Sequence, residues 1–517
     1  MPDSPTSNEQ APATATSDAS NADSGTHSAE QQIIQDRRDK VAALEASGTS
    51  PYPFRADVTA SIADVRAAHE GLEAGEETDV SYTLAGRMLG RRGHGKAMFA
   101  DLSDRSGRLQ LHVTLDRLGD EPFAGFADLD LGDWIVVTGT AMCTRRGELS
   151  VAVESFELLA KCLRPLPEKF HGLTDVETRL SKRYLDLAVN RESFDVFVTR
   201  SRVVSAIRRF LEQRDFLEVE TPALQPIYGG AAARPFVTHH NELDQQLFLR
   251  VAVELYLKRL IVGGMERVFE IGKNFRNEGV SFKHNPEFTM IAWYQAYADY
   301  HDMMDLFEEM VSTVTQEVLG VTTVTYGEHE ISLAPGWKRV ALGDAIRDAT
   351  GVDIYASEEQ VLRDRLEQDG FDTSNDKTWA QLVDHLLSKY VEPFLVQPTF
   401  LIDYPVELSP FARRHRDNPR ICERFEIFVA GMELANAFSE LNDPADQYDR
   451  FVQQAAARDE GEDTAEQMDE DYITALEYGM PPTGGLGMGI DRFAMLLTNR
   501  QSIREVILFP ARRSSGN

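Results

Sequence analysis

Phe275-Arg276-Asn277-Glu278, the polar run Gly279 to Lys283, and His284-Asn285-Pro286-Glu287-Phe288 read in order as strand, loop and strand. Such a hairpin sets Arg276, Glu278, His284, Asn285 and Glu287 close together on opposing strands. That is more polar chemistry than a sheet needs for its own stability. An arginine facing a cleft at such a place clamps phosphate or carboxylate through paired N–H donors, and Phe288 offers a face on which a base can stack. A structural ion-pair network would use the same residue types, and spacing alone leaves both readings open.

Working outward, the hairpin lies in the first of two β-rich blocks, Val268 to Tyr297 and Thr399 to Glu440, with helical segments between and after them. Near the C-terminus, Gly484-Gly485-Leu486-Gly487-Met488-Gly489-Ile490-Asp491-Arg492 runs into the apolar segment Phe493 to Leu497. Its glycines permit close backbone approach, and Arg492 opens a helix beside them. The run is neither a Walker loop nor a dinucleotide fingerprint. Upstream of the hairpin, helical periodicity covers Phe194 to Leu211.

Between Val80 and Leu163 the pattern is different: short alternating stretches separated by turn signals such as Ser106-Gly107 and Arg146-Gly147. Five strands of this kind predict a small β-barrel of the OB type. Arg87, Arg91, Arg92, Lys96, Arg105 and Arg108 cluster at one end with Phe99 among them, a mixture of cations and stacking surface suited to single-stranded nucleic acid. A solvated strand face with one core phenylalanine is the alternative.

The chain has 517 residues, enough for two to four domains at roughly 150 residues each. With 42% hydrophobic and 26% charged residues, most of it is expected to be globular. The net charge of −31 argues, taken alone, against a polyanionic partner. A global sum does not exclude local cationic faces, however, and widespread surface carboxylates are also what keeps a protein hydrated at high salt. Cys143, Cys162 and Cys422 form no CxxC pair, so neither a disulfide framework nor a thiolate zinc site is indicated. There is no signal segment and no membrane-length apolar run, which makes the cytoplasm the expected location.

Together these stretches resemble the class II lysyl-tRNA synthetases, from about Gln31 to Pro510. Residues 216–222 (Phe-Leu-Glu-Val-Glu-Thr-Pro) resemble motif 1, residues 275–294 motif 2 and residues 485–492 motif 3. The runs Gly229-Gly230, Glu254-Leu255-Tyr256-Leu257-Lys258-Arg259-Leu260 and Asn436-Ala437-Phe438-Ser439-Glu440 resemble the lysine enzymes rather than their aspartate and asparagine relatives. The resemblance implies an α+β protein: an N-terminal OB-fold barrel followed by a catalytic domain with an antiparallel sheet flanked by helices. The expected organisation is a disordered acidic tail over 1–30, a helical segment over 31–78, the OB-fold over 79–163, a connector over 164–190 and the catalytic domain over 191–517.

By this resemblance the activity is that of a lysine–tRNA ligase, using ATP and L-lysine as substrates and tRNA(Lys) as acceptor, with Mg²⁺ as cofactor and a homodimer built on motif 1. Arg276 would hold the α-phosphate and the amino-acid carboxylate, Glu278, His284 and Asn285 the nucleotide, Phe288 the adenine, and Arg492 the γ-phosphate end. Gly230, Glu254, Tyr294, Asn436 and Glu440 would bind lysine, Glu426 and Glu433 the magnesium, and Arg87, Phe99 and Gln110 the anticodon. One position departs from the family pattern: Ala292 stands where a glutamate is usual, two residues before Tyr294. Lysine affinity is therefore expected to be altered, or a compensating group to be present. Two other readings are a synthetase-like ligase with a different amino acid or a protein acceptor of the elongation factor P type, and an inactive tRNA-binding paralogue. The OB-fold counts against the first of these, and retention of Arg276, Glu278, Phe288, Glu426, Glu433 and Arg492 against the second.

Overall fold

A computed structural model describes residues 19–93, 95–167, 173–459 and 467–512, which form two units that divide between Gly172 and Leu173.

In the first unit, helix α1 (Ala19–Ala46) and the short α2 (Ile62–His69) precede a closed five-stranded barrel: β1 (Glu77–Arg92), β2 (Ala97–Ser103), β3 (Arg108–Thr114), β4 (Trp134–Cys143) and β5 (Leu149–Ala160). Helices α3 (Leu115–Leu118) and α4 (Asp120–Asp128) lie between β3 and β4. Strict alternation along β2 sends Met98, Ala100 and Leu102 inward, where they meet Leu111, Val137 and Val153. That is the period-2 signature of a strand with one wet face. On α1, the Arg37 guanidinium donates to the Cys162 carbonyl at 2.5 Å, and the Lys40 ammonium donates to the Asp128 carbonyl at 2.7 Å, tying the helix to the barrel. Of the tail expected to be disordered, residues 1–18 lie outside the described residues. Residues 19–30 instead begin α1, because an established helix extends at one backbone bond per residue fixed, a lower cost than nucleating anew.

The second unit begins with α5 (Val176–Ser181), α6 (Arg183–Val189) and α7 (Arg191–Glu212), so much of the stretch expected to be a connector is helical and belongs to this unit. The reason is a buried cluster that the sequence pattern does not announce: Asp186 accepts from Arg179, Arg183, Asn190 and Ser193. There follow β6 (Leu217–Glu218), β7 (Leu224–Gln225), β8 (Val237–His240), β9 (Gln245–Leu249), α8 (Glu254–Val262), β10 (Arg267–Phe275), β11 (Glu287–Ala296) and α9 (Tyr300–Leu319). A hairpin of β12 (Thr323–Tyr326) and β13 (His329–Ser332) leads to β14 (Lys338–Ala341). Helices α10 (Leu342–Thr350), α11 (Glu359–Gln368) and α12 (Trp379–Tyr390) then carry the chain to β15 (Thr399–Ile402). The chain closes with β16 (Arg424–Val429), β17 (Met432–Ser439), α13 (Pro444–Asp459), α14 (Glu470–Glu477), β18 (Thr483–Gly489), α15 (Ile490–Thr498) and α16 (Ile503–Val506). The acidic run Asp459 to Asp471 reads in sequence as a solvated helix or loop, and its residues 460–466 lie outside the described residues.

Eight strands make the central sheet in the order β14-β15-β16-β17-β18-β11-β10-β6. It is antiparallel except at its two margins, where β14 runs parallel to β15 and β6 parallel to β10. Alternation along β11 divides the molecule: Ile291 and Trp293 enter the core shared with α7, α9 and α15, while Phe288, Met290, Ala292 and Tyr294 face the opposite side and line a cavity.

Candidate functional site

That cavity holds about 320 Å³ and lies over β11, β17 and β18, a size ordinary for a small-molecule site. It collects every candidate active-site residue expected in this unit except Glu440, which sits immediately behind its wall.

At one end is the hairpin that carries Arg276 and Phe288. The Arg276 amide donates to the Pro286 carbonyl at 2.9 Å, closing the strand pair, and the Arg276 guanidinium stands 5.1 Å from the centre of the Phe288 ring. His284 is fastened by a 2.9 Å hydrogen bond between its Nδ1 and the Ser281 hydroxyl. Burial, reinforced by the Arg492 charge, holds its pKa below the ordinary histidine value. Asn285 is nearly buried and uses both ends of its amide within the protein, donating to the Glu287 carbonyl and accepting the Ala511 amide at 3.0 Å. It braces the hairpin against the C-terminal segment. Arg492 donates to the Glu433 carbonyl at 2.7 Å and to the Glu433 carboxylate at 3.0 Å.

Glu426 and Glu433 lie on β16 and β17, joined by the two-residue turn Ala430-Gly431. Both turn residues have positive φ, 52° and 68°, the backbone of the tight turn that suits strand twist. Glu426 accepts from the Tyr404 hydroxyl at 2.9 Å and from Arg424 at 2.6 Å. Burial, with the charge of Glu433 added, still pushes its carboxyl up to about 7 against the pull of Arg424. At Glu433 burial is outweighed by Arg492, Arg276 and Arg424 together, which hold that carboxyl below its ordinary value. The pair thus holds one carboxyl above its ordinary value and one below it. Its hard oxygens suit a divalent cation that draws its remaining ligands from phosphate and water; among the described residues no third His, Cys, Asp or Glu completes an all-protein cage.

The other end is narrower. Gly230 has φ of 85°, and a Cβ there would lie 3.0 Å from the Glu254 Cβ, so only glycine brings this turn so close to Glu254. A Cβ on Gly485 would fall 2.0 Å from Glu440 Oε1 and 2.4 Å from the Tyr294 ring. The bare backbone of β18 therefore lets that carboxylate and that ring come together. Arg424 Nε donates to Asn436 Oδ1 at 3.1 Å, orienting the side chain of Asn436. Ala292 lines the cavity opposite Gly487, giving this stretch of wall no charge.

Lys258, Arg200, Asp491 and Arg424 were not singled out by sequence reasoning. Lys258 carried a legible signal, since it follows Glu254 by four residues on a helix. Arg200 and Asp491 pair across 291 residues of chain, which no local pattern reveals.

On the barrel, Phe99 stacks on His112 with ring centres 4.9 Å apart, and the Arg92 guanidinium lies 5.8 Å from the Phe99 ring. Gln110 is buried, with its amide engaged by Arg92 and by the Ser150 hydroxyl at 2.8 Å. Arg87 lies apart from these, its guanidinium 5.0 Å from the half-exposed Trp134 ring. Arg92 was among the expected cations, whereas His112 beside Phe99 and Trp134 beside Arg87 were not named by the sequence pattern.

Residues 175–513 match the family of tRNA synthetases class II (D, K and N), and residues 82–159 match the OB-fold nucleic acid binding domain. The chain is 51% identical over 488 residues to the lysine–tRNA ligase of Carboxydothermus hydrogenoformans, covering 94% of this chain and 99% of that one. It is 51% identical over 484 residues to that of Bacillus subtilis, covering 93% and 97%. With the Roseiflexus sp. enzyme the identity is 54% over 486 residues, covering 93% and 99%.

Proposed function

The chain belongs to the lysine–tRNA ligases of class II, and from that premise we propose that its cavity condenses L-lysine with ATP and passes the lysyl group to the 3′-terminal adenosine of tRNA(Lys). The observation that carries this reading is the polarity of one cavity: carboxylates and a tyrosine at one end, arginines and an aromatic ring at the other.

The substrate supplies the nucleophile. A lysine carboxylate oxygen attacks the α-phosphorus of ATP in line, the bond to the bridging oxygen breaks, and pyrophosphate leaves. The protein's work is alignment and charge neutralisation. Arg276 spans the α-phosphate and the attacking carboxylate, Phe288 stacks on the adenine, and Arg492 receives charge at the departing end. Glu278, the neutral His284 and the braced Asn285 shape the nucleotide loop. Glu254, Tyr294, Asn436 and Glu440 hold the amino acid against Gly230. Glu426 and Glu433 would hold Mg²⁺, which when bound neutralises phosphate charge. The barrel reads the anticodon with Phe99 as a stacking surface, Arg87 as a cation and Gln110 as an orienting amide.

Leu217, Leu224, Val237 and Leu243, all exposed in the single chain, support a homodimer through the motif 1 region. No described helix is long and apolar enough to cross a membrane, and the proposed work is that of a cytoplasmic translation enzyme.

ATP–pyrophosphate exchange across the standard amino acids, followed by charging of tRNA, tests the whole reading. Exchange with lysine and charging of tRNA(Lys) are expected. Exchange with no amino acid would overturn both steps, and exchange with lysine without charging would point to another acceptor.

A further inference from the structure

Lys258 is fully buried beneath the narrow end of the cavity. Its ammonium lies 2.6 Å from Glu254 Oε1 and 2.5 Å from Glu440 Oε2, and 4.9 and 5.1 Å from the rings of Phe411 and Phe438. Burial works against its charge, but the two carboxylates outweigh burial and keep it protonated. Glu440 Oε1, on the side facing Gly485 and Tyr294, makes no hydrogen bond within the protein. Burial raises the Glu440 carboxyl well above its ordinary value, and the Lys258 charge opposes that rise; the other titratable groups turned toward this cluster are the Tyr294 and Tyr472 hydroxyls, both kept neutral because burial pushes their pKa values up.

We propose that Lys258 is a positioning residue for amino-acid selection: it neutralises one of the two carboxylates and turns the remaining oxygens toward the cavity, so that the pocket presents one net negative charge and accepts one side-chain ammonium. The inference rests on the reading of Glu254 and Glu440 as the lysine-binding carboxylates. With Glu440 ionised, two carboxylates and one resident ammonium sum to −1, the complement of a single lysine side chain. Without Lys258, two buried carboxylates share a site, and like charges so placed force one to keep its proton. The arrangement also explains how the pocket works with the uncharged Ala292 in its wall, because attraction depends on the balance of charges rather than on the number of carboxylates.

The test measures lysine KM, ATP KM and kcat by pyrophosphate exchange from pH 6.5 to 8.5 for wild type, Glu440→Gln, Glu254→Gln, Lys258→Met and the double variant Glu254→Gln/Lys258→Met, with thermal melts for each. Lys258→Met, in which one carboxyl keeps its proton at pH 7 and the ammonium no longer orients either, is expected to raise lysine KM about tenfold and to make it vary with pH, while ATP KM stays within about twofold. Wild type should vary less over this range, because Lys258 opposes the burial that raises the Glu440 carboxyl. The double variant restores the pocket charge to −1, whereas Glu254→Gln alone leaves it at zero, so the double variant should bind lysine more tightly than Glu254→Gln. This comparison decides the matter if Lys258→Met alone does not fold. A double variant no better than Glu254→Gln, or a pH-flat Lys258→Met with wild-type lysine KM, overturns the proposal. An unchanged lysine KM in Glu440→Gln would instead overturn the underlying assignment of the pocket.

Discussion

The Asp491 carboxylate accepts the backbone amide of Thr289 at 2.7 Å, binding the first turn of α15 to the strand that carries Phe288. Arg200 completes the junction: it pairs with Asp491 and donates to the Thr289 hydroxyl at 3.0 Å and to the Val506 carbonyl at 2.7 Å. Arg492 and Phe288, neighbours in sequence of these two residues, are thereby held in one frame. Asp491→Ala leaves Arg200 without its carboxylate in a site where Asp491 is 2% exposed. The expected cost is about 3–5 kcal/mol of unfolding free energy in a urea titration, with kcat for exchange falling even where the protein remains folded.

Phe288→Ala removes the cavity's stacking surface beside Arg276. A lost base–aromatic contact costs about 1–3 kcal/mol. ATP KM should therefore rise on the order of tenfold in steady-state exchange, with lysine KM nearly unchanged. Equal loss for both substrates would show that the ring does not act on the nucleotide.

Ala292→Glu adds a carboxylate on the cavity-facing edge of β11, opposite a glycine that offers no steric bar. A hydrogen bond to a charged group contributes roughly 1.5–3 kcal/mol. Lysine KM should fall by about a factor of ten, measurable at saturating ATP; an unchanged value would mean that the wild-type wall already serves lysine fully.

Asp186 predicts an acid limb of stability. Burial opposes its charge, but hydrogen bonds from Asn190, Arg179, Arg183 and Ser193 win and hold its pKa below the ordinary 3.8. A lowered folded-state value gives stability that is complete above the unfolded pKa and is lost as pH falls through the folded one. Wild type should thus lose stability more steeply than Asp186→Asn from about pH 4 downward, with the variant less stable at pH 7. Parallel melting curves for the two proteins across this range would contradict the assignment.

Phe99→Ala separates the two units functionally. It should lower kcat/KM for tRNA charging by about 1–3 kcal/mol equivalent and leave lysine-dependent pyrophosphate exchange intact. Loss of exchange would show instead that the substitution unfolds more than the barrel face.

The period-2 pattern between Val80 and Leu163 was enough to predict the barrel, because alternation reflects a wet and a dry face wherever a strand lies. The order of the hairpin at Arg276, the glycine run before Arg492 and the motif at Phe216 likewise identified the α+β domain, and the cavity brings residues of the first two together. Three features were beyond local reading. The helices α5 and α6 form around Asp186, whose partners include residues four and seven positions away and whose burial depends on the C-terminal segment that Arg183 reaches at Leu508. Gln110 turned out to be buried and engaged by Arg92 and Ser150, a matter of which strand lies beside which. The charge balance of the pocket depends on Lys258 meeting Glu440 across 182 residues of chain. Sequence by itself determined which chemical groups were available and the faces on which short-range periodicity would put them. Tertiary structure alone decided which charges neutralise one another, since that depends on distance and burial between segments far apart along the chain.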